Sequence, residues 1–302
     1  MSHQAASRKS ILFALLANLG IAVTKTVAAV ITGSGAMLAE SIHSYADCGN
    51  QGLLFWGLKA AGKEPNPEHP LGYGMEVFFW SFVVALILFS MGGLFSIYEG
   101  IHKVRQHEGL NQPMIAVLVL SVSMIFEAAS LYGCLTQINK VRHGESLWKW
   151  SKNSRQSELV VVLGEDIAAL MGLSFALIAV ILSIVTGNPV FDAAGSIGIG
   201  ILLIIISLFL AVKVKGLLIG HSADEETCAE IQRFLENRPE IERILNMITL
   251  QLGPQIMVAV KARMKKVPST EQLADNINTV EAELKKTNPA IRWVFFEPDI
   301  RN

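Results

Sequence analysis

Charge is what this 302-residue chain has least of: only 17% of its residues are Asp, Glu, Lys or Arg, where a soluble domain carries about a quarter. With 51% hydrophobic residues and a mean hydropathy of +0.43, that deficit points to a membrane protein. A surplus of either sign is lacking too. The 25 Lys and Arg stand against 26 Asp and Glu, a net charge of -1, so there is no basic excess to neutralise the phosphates of a nucleic acid. Cysteine is scarce as well: Cys48, Cys134 and Cys228 lie far apart with no CxxC pair. Neither a disulfide framework nor a thiolate zinc site follows, and the three read as small buried side chains. No HExxH or comparable ligand-plus-base motif occurs, which leaves an intramembrane metalloenzyme without support. Internal repeats and low-complexity tracts are absent.

What is present is a series of long apolar runs. A helix needs roughly 20 residues to cross a hydrocarbon core of about 30 Å, and six stretches qualify: 11–31, 36–58, 77–101, 114–133, 159–185 and 190–212. The first is too long for a signal peptide, contains Asn18 and Lys25, and runs into Gly33-Ser34-Gly35 rather than a cleavage site. Lys and Arg accumulate on cytoplasmic loops. They flank the first span (Arg8, Lys9), follow the second and sixth, and crowd the segment between the fourth and fifth, whereas only Lys103 and Arg105 fall on the opposite side. Both termini are therefore expected in the cytoplasm.

Nearly half of the formal charges lie in the last 85 residues, so the chain divides into a transmembrane domain, residues 1–217, and a polar cytoplasmic domain, residues 218–302. In the latter, 223–237 reads as a helix with an apolar face of Cys228, Ile231, Phe234 and Leu235. Stretches 241–252 and 255–264 read as strands around a Gly253-Pro254 turn, and in the second Ile256, Val258, Val260 and Ala262 alternate with more polar neighbours. A helix over 269–286, capped by Ser269 or Thr270, and a strand over 290–296 complete an αββαβ order. That is a small ferredoxin-like α+β unit.

Ionisable groups inside a span cost a few kcal/mol or more, so each requires a partner or a function. Glu40, His43, Asp47 and Asn50 are spaced at i, i+3, i+7 and i+10 in the second span and share one helical stripe. His43 and Asp47, one turn apart, can bind one ion through an imidazole nitrogen and a carboxylate oxygen. Glu165 and Asp166 of the fifth span could complete a nitrogen and oxygen site. Such a set suits zinc and related first-row dications, with manganese also admitted by the carboxylates, and its donors also take protons. A polar lock between packed helices is the competing reading. Lys25 and Asn18 read as ties between helices or as counter-charges to a carboxylate. Glu127 and Asp192 line a water path or serve structure, Glu99 snorkels, and Gly195, Gly198 and Gly200 permit close packing.

These residues give the chain its resemblance. Lys25, the stretch Gly33 to Asp47, the loop His69-Pro70-Leu71-Gly72-Tyr73-Gly74 and Asp192 occur in the order found in the cation diffusion facilitators, the family that includes cellular zinc-efflux transporters. The resemblance covers essentially the whole chain. Gly72 to Phe82 and Leu163 to Leu170 resemble the zinc transporter 9-like branch. The resemblance implies a homodimer in the lipid bilayer and a metallochaperone-like tail. It also implies a mid-membrane zinc site carried here by His43, Asp47 and Asp166, with zinc and protons as the exchanged substrates and no resident cofactor. The place one turn before Asp166, usually His or Asp, is Val162; Glu165, Asn50 or a water would fill it. The tail has no histidine beyond His221, which favours a plain dimer contact over metal-linked closure. Two readings remain: a divalent-metal/proton antiporter exporting zinc, or manganese, iron or cobalt, across a bacterial inner membrane or its equivalent, and a membrane-anchored metal sensor or regulatory partner that no longer transports.

Overall fold

The computed structural model describes residues 18–106, 109–142 and 144–301; Arg8, Lys9 and the expected start of the first span at Ile11 lie outside them. The described chain opens with α1 (Asn18–Thr32) and α2 (Gly35–Ala61). Helix α3 begins as Glu76–Ile87, widens into a π-helical segment, Leu88–Leu94, and continues as Phe95–Gln106. There follow α4 (Pro113–Val141), α5 (Leu147–Asn153), α6 (Ser157–Thr186) and α7 (Val190–Gly220). The tail comprises α8 (Glu225–Glu236), β1 (Ile241–Leu252), β2 (Gln255–Met264), α9 (Thr270–Thr287) and β3 (Ile291–Pro298).

Among the described residues, four stretches are long and apolar enough to cross a membrane: Glu76–Arg105, Pro113–Val141, Ser157–Thr186 and one that opens at Val190. Helix α1 is a shorter apolar segment over its described length, and α2, at 27 residues, has the length but carries the polar stripe. Two expectations from sequence need correction. Helix α4 runs eight residues beyond Gly133, because Cys134 and Ile138 continue the buried stripe of Ala116, Leu120 and Ser123 while Gln137 and Asn139 depress the local hydropathy. The basic segment between the fourth and fifth spans holds the short helix α5, in which Trp150 and Ser151 are buried; its lysines masked that pattern.

The chain forms two compact units. The first unites α1, most of α2, α3 from Trp80, α4, α6 and α7 as far as Lys213. One of its close crossings is between α3 and α7. A Cβ on Gly93 would stand 2.6 Å from Ile204 Cγ1, one on Gly100 2.7 Å from the Ala193 carbonyl, and one on Gly200 2.6 Å from the Gly93 carbonyl. Backbone meets backbone along this seam, the arrangement that small residues permit in membrane helices. Gly195 likewise faces Ala179 of α6 at close range, whereas Gly198 has open space around it, so two of the three packing glycines expected in this helix act as such.

Asp192 belongs to the structure of the same end. Its carboxylate accepts hydrogen bonds from Ser34 Oγ (2.5 Å) and the Gly35 amide (2.6 Å), while Ser34 Oγ accepts from the Met37 amide (3.1 Å). Ser34 thus caps α2, and a carboxylate from α7 sits at the helix's positive end. Glu99, expected to snorkel outward, is buried.

The second unit contains residues 57–79, 148–157 and 214–302. Its sheet has the order β1-β2-β3, antiparallel between β1 and β2 and parallel between β2 and β3, with α9 as the crossover. Ile256, Val258, Val260 and Ala262 of β2 are buried with Ile231 and Leu235 of α8 and Val280 and Leu284 of α9; the period of two was a faithful guide. Asp224 caps α8 through the Thr227 amide, and Ser269 rather than Thr270 caps α9 through the Gln272 amide. Gly253, at φ +62°, turns the β1–β2 hairpin against the Gly74 backbone, where a Cβ on either glycine would collide with the other strand of chain. Arg292 pairs with Glu64, and Arg155 Nε donates to the Ser222 carbonyl at 2.7 Å.

The glycine seam carries the first prediction. Gly93→Ala and Gly200→Ala should each destabilise the detergent-solubilised protein by about 1–3 kcal/mol, the cost of overpacking, read as a lowered Tm. Gly198→Ala should leave Tm unchanged or raise it, since alanine is the better helix former. Equal effects at Gly198 and Gly200 would contradict the seam.

Candidate functional site

The polar stripe of α2 faces inward throughout. Glu40, His43 and Asn50 have no exposure, and the Asp47 side chain retains 16%. The four groups divide by partner. Glu40 is answered by Lys25 of α1, also wholly buried, whose Nζ lies 3.3 Å from Oε2 and donates to Ser44 Oγ at 2.8 Å. Lys25 therefore counters a carboxylate, and Asn18 ties α1 to α2 by donating from Nδ2 to Gln51 Oε1 at 3.3 Å. The other Glu40 oxygen, Oε1, has no partner and lies over Gly172 of α6, where a Cβ would collide with it.

His43 and Asp47 are brought together but not joined. Nδ1 and Oδ1 lie 3.6 Å apart, beyond hydrogen-bond reach, and both imidazole nitrogens and Asp47 Oδ1 are buried without partners among the described residues. The π-helical segment of α3 adjoins this histidine: a Cβ on Gly92 would stand 3.9 Å from Nδ1. Segments of this kind are rare and recur at functional sites. Sequence reading had no means of finding it, because Leu88 to Leu94 looks like any apolar run.

Helix α6 answers in two directions. Asn50 Nδ2 donates to Glu165 Oε1 at 2.6 Å, while Ser130 Oγ of α4 donates to Asp166 Oδ1 at 3.2 Å. The rotation of roughly 100° between adjacent helical residues thus turns Glu165 to α2 and Asp166 to α4. Asn50 Oδ1 and Asp166 Oδ2 stay buried and unpartnered. Unanswered polar atoms are uncommon in a folded interior, and among the described residues six of the seven such side-chain atoms lie on Glu40, His43, Asp47, Asn50 and Asp166.

Asp47 and Gln51 of α2 and Glu165 and Asp166 of α6 line a cavity of about 30 Å³, room for an ion or a water or two. Asn18 of α1 and Glu127 and Ser130 of α4 complete its polar wall, and Val162 contributes an apolar patch. His43 is not among the lining residues. Of the expected ligands, Asp47, Asp166 and Glu165 share the cavity, Asn50 reaches it through Glu165, and His43 stands beside Asp47 behind the wall. Among the described residues no three His, Cys, Asp or Glu side chains converge on a point where they would hold a metal ion. Glu127, for which the sequence leaves a water path or a structural role open, lies on this wall; a lone acid in an apolar run does not disclose which helix it faces.

His69 is exposed, stacks on Tyr73 with ring centroids 4.3 Å apart and donates its amide to Asn66 Oδ1, the structured turn expected from its Pro and Gly neighbours.

Comparison with known proteins places this geometry in context. A model of the cation efflux transmembrane domain matches residues 11–219. The chain is 30% identical to the mitochondrial proton-coupled zinc antiporter SLC30A9 of Mus musculus, over 90% of this chain and 55% of that protein. It is 30% identical to metal tolerance protein C4 of Arabidopsis thaliana, over 74% of this chain and 49% of that one. The chain spans about half the length of these two relatives. Magnetosome protein MamB of Magnetospira sp. is 25% identical over 90% of this chain and 89% of its own.

The buried ion pair generates the second prediction. Lys25→Met should destabilise the protein by about 3–5 kcal/mol by stranding the Glu40 charge, and the double variant Lys25→Met, Glu40→Met should recover most of that loss. Denaturant unfolding in detergent measures both; a double variant no more stable than Lys25→Met would show that the pair is not coupled.

Proposed function

From the premise that this chain belongs to the cation efflux family, the cation diffusion facilitators, we propose that it exports divalent cations, zinc foremost, in exchange for protons. The observation that carries the reading is the set of donors buried between apolar helices with no hydrogen-bond partner among the described residues: Asp47 on α2 and Asp166 on α6, which line one small polar cavity, and His43, which stands behind its wall beside Asp47. Burying such groups has a cost that a polar lock would answer by pairing them. A transported cation answers it instead.

Each element has a stated task. His43, Asp47 and Asp166 hold the dication, with Glu165 or Asn50 supplying the place that Val162 leaves without a donor. The Lys25–Glu40 pair joins α1 to α2 so that the stripe keeps its facing. Alternating access moves the cavity between the two sides by rocking of helix pairs, and protons take up the donor lone pairs as the metal leaves. The architecture we propose has six spans within residues 1–217 and a cytoplasmic ferredoxin-like domain in residues 218–302. Both termini face the cytoplasm by the distribution of Lys and Arg, and the protein works as a homodimer through a direct tail contact. The chain acts as a transporter rather than an enzyme. In a bacterial cell its place is the inner membrane.

Val162 on the cavity wall is the observation that favours a second reading, a metal sensor or regulatory partner that binds without transport. Zinc flux separates the two. Proteoliposomes with an imposed pH gradient should take up zinc, uptake should collapse when the gradient is dissipated, and Asp47→Ala and Asp166→Ala should each lower it by an order of magnitude or more, as expected for loss of a direct ligand. Metal binding without saturable counterflow would establish the sensor, and unchanged flux in both variants would remove the site.

A further inference from the structure

The cavity between α2, α4 and α6 is chemically different from the pair of residues behind it. Its polar wall is built from oxygen donors: four carboxylates (Asp47, Glu127, Glu165, Asp166), the side-chain amides of Asn18 and Gln51, and serine hydroxyls. Among the described residues neither an imidazole nor a thiolate lines it, and no Lys or Arg does so. Asp166 is only 8% exposed, and its Oδ2 has no hydrogen-bond partner. A side chain this deeply buried, with a free carboxylate oxygen on a polar cavity, indicates a cationic ligand there. Glu127 comes from α4, a helix that supplies none of the residues so far given a metal-binding role.

We propose that Glu127 is a further ligand of the transported cation and determines its specificity, extending the site on the oxygen side so that manganese is accepted together with zinc. The chemistry follows from donor preference. Carboxylate, carbonyl and hydroxyl oxygens suit manganese and harder dications, whereas imidazole draws zinc. With Glu127 present, a manganese ion can be held by carboxylates from three helices without using His43. With Glu127 neutral, the set contracts toward His43, Asp47 and Asp166, a nitrogen-containing group better matched to zinc. The side chains line the cavity rather than meeting at a point, so binding requires rotation of Glu127 and its neighbours toward the ion. The Ser130 bond to Asp166, at 3.2 Å, links the same two helices and keeps α4 within reach.

This inference rests on the transport-site reading above, and its experiment keeps the two apart. Manganese binding to the full-length protein in detergent is followed by loss of the free-ion electron paramagnetic resonance signal, and zinc binding by competition against manganese and by direct titration. Glu127→Gln, nearly the same shape, should weaken manganese binding about tenfold, the scale on which even outer-shell partners act, with zinc affinity changed less than about threefold. Glu127→Asp keeps the charge but shortens the reach and should fall between. If Glu127→Gln does not yield a monodisperse protein, Glu127→Asp carries the test through the same difference between the two metals. Unchanged manganese affinity, or an equal loss of both metals, would overturn the assignment of Glu127. Asp166→Asn is the control on the underlying reading: it should abolish binding of both metals, and if it leaves both intact the transport site itself is misplaced, whatever Glu127 does.

Discussion

The Lys25 ammonium lies 3.3 Å from a Glu40 oxygen with neither side chain exposed, and either charge left alone in a membrane interior would cost several kcal/mol. That pairing constrains everything around it. It fixes the face that α2 turns to α1, and a helix held at one residue by an ion pair carries its neighbours at i+3 and i+7 with it. His43 and Asp47 accordingly project into the unit rather than toward lipid. The pair also removes Glu40 from consideration as a metal ligand, since its charge is already met. Among the described residues, the cavity wall carries four carboxylates and no Lys or Arg.

The helices around the cavity are not held equally. Helix α7 is locked to α3 by glycine contacts along two turns and to the start of α2 by the Asp192 carboxylate. Helix α4 is different: only 17% of its apolar window is buried, through one narrow stripe. Its polar links to the site are Ser130, bonded to Asp166, and Glu127 on the cavity wall. An element with few buried contacts can shift at small cost, whereas the glycine-packed seam cannot. Helix α4, which lines the cavity, is thus freer to shift than α3 or α7, which contribute no lining residue.

What the sequence disclosed follows from the same physics. The tail strands were legible because burial on one face imposes a period of two, and Ile256, Val258, Val260 and Ala262 obey it. The α2 stripe was legible because four polar residues at helical spacing in an apolar run have few bland explanations. Helix ends were less so: α4 continues past Gly133 through residues that are buried on one side and polar on the other. The π-helical segment was not legible at all, and Glu127 was legible only as an acid that lines a water path or serves structure. Both depend on which helices become neighbours, and an apolar run reads alike whichever neighbour it meets.

Four carboxylates on one cavity with no basic residue among them form an unbalanced charge set, and in a medium of low dielectric that imbalance must be met by cations at short range. Protons and a dication are alternative ways of meeting it. They compete for the same oxygen lone pairs, so a metal that enters displaces protons and a metal that leaves is replaced by them. In the exchange proposed above, coupling of the two fluxes needs no separate proton channel with its own gate; it follows from competition for the same oxygen lone pairs. The closed Lys25–Glu40 pair is the necessary contrast. Because Glu40 is already balanced, it gains little from either ion, and the exchange is confined to the side chains that line the cavity.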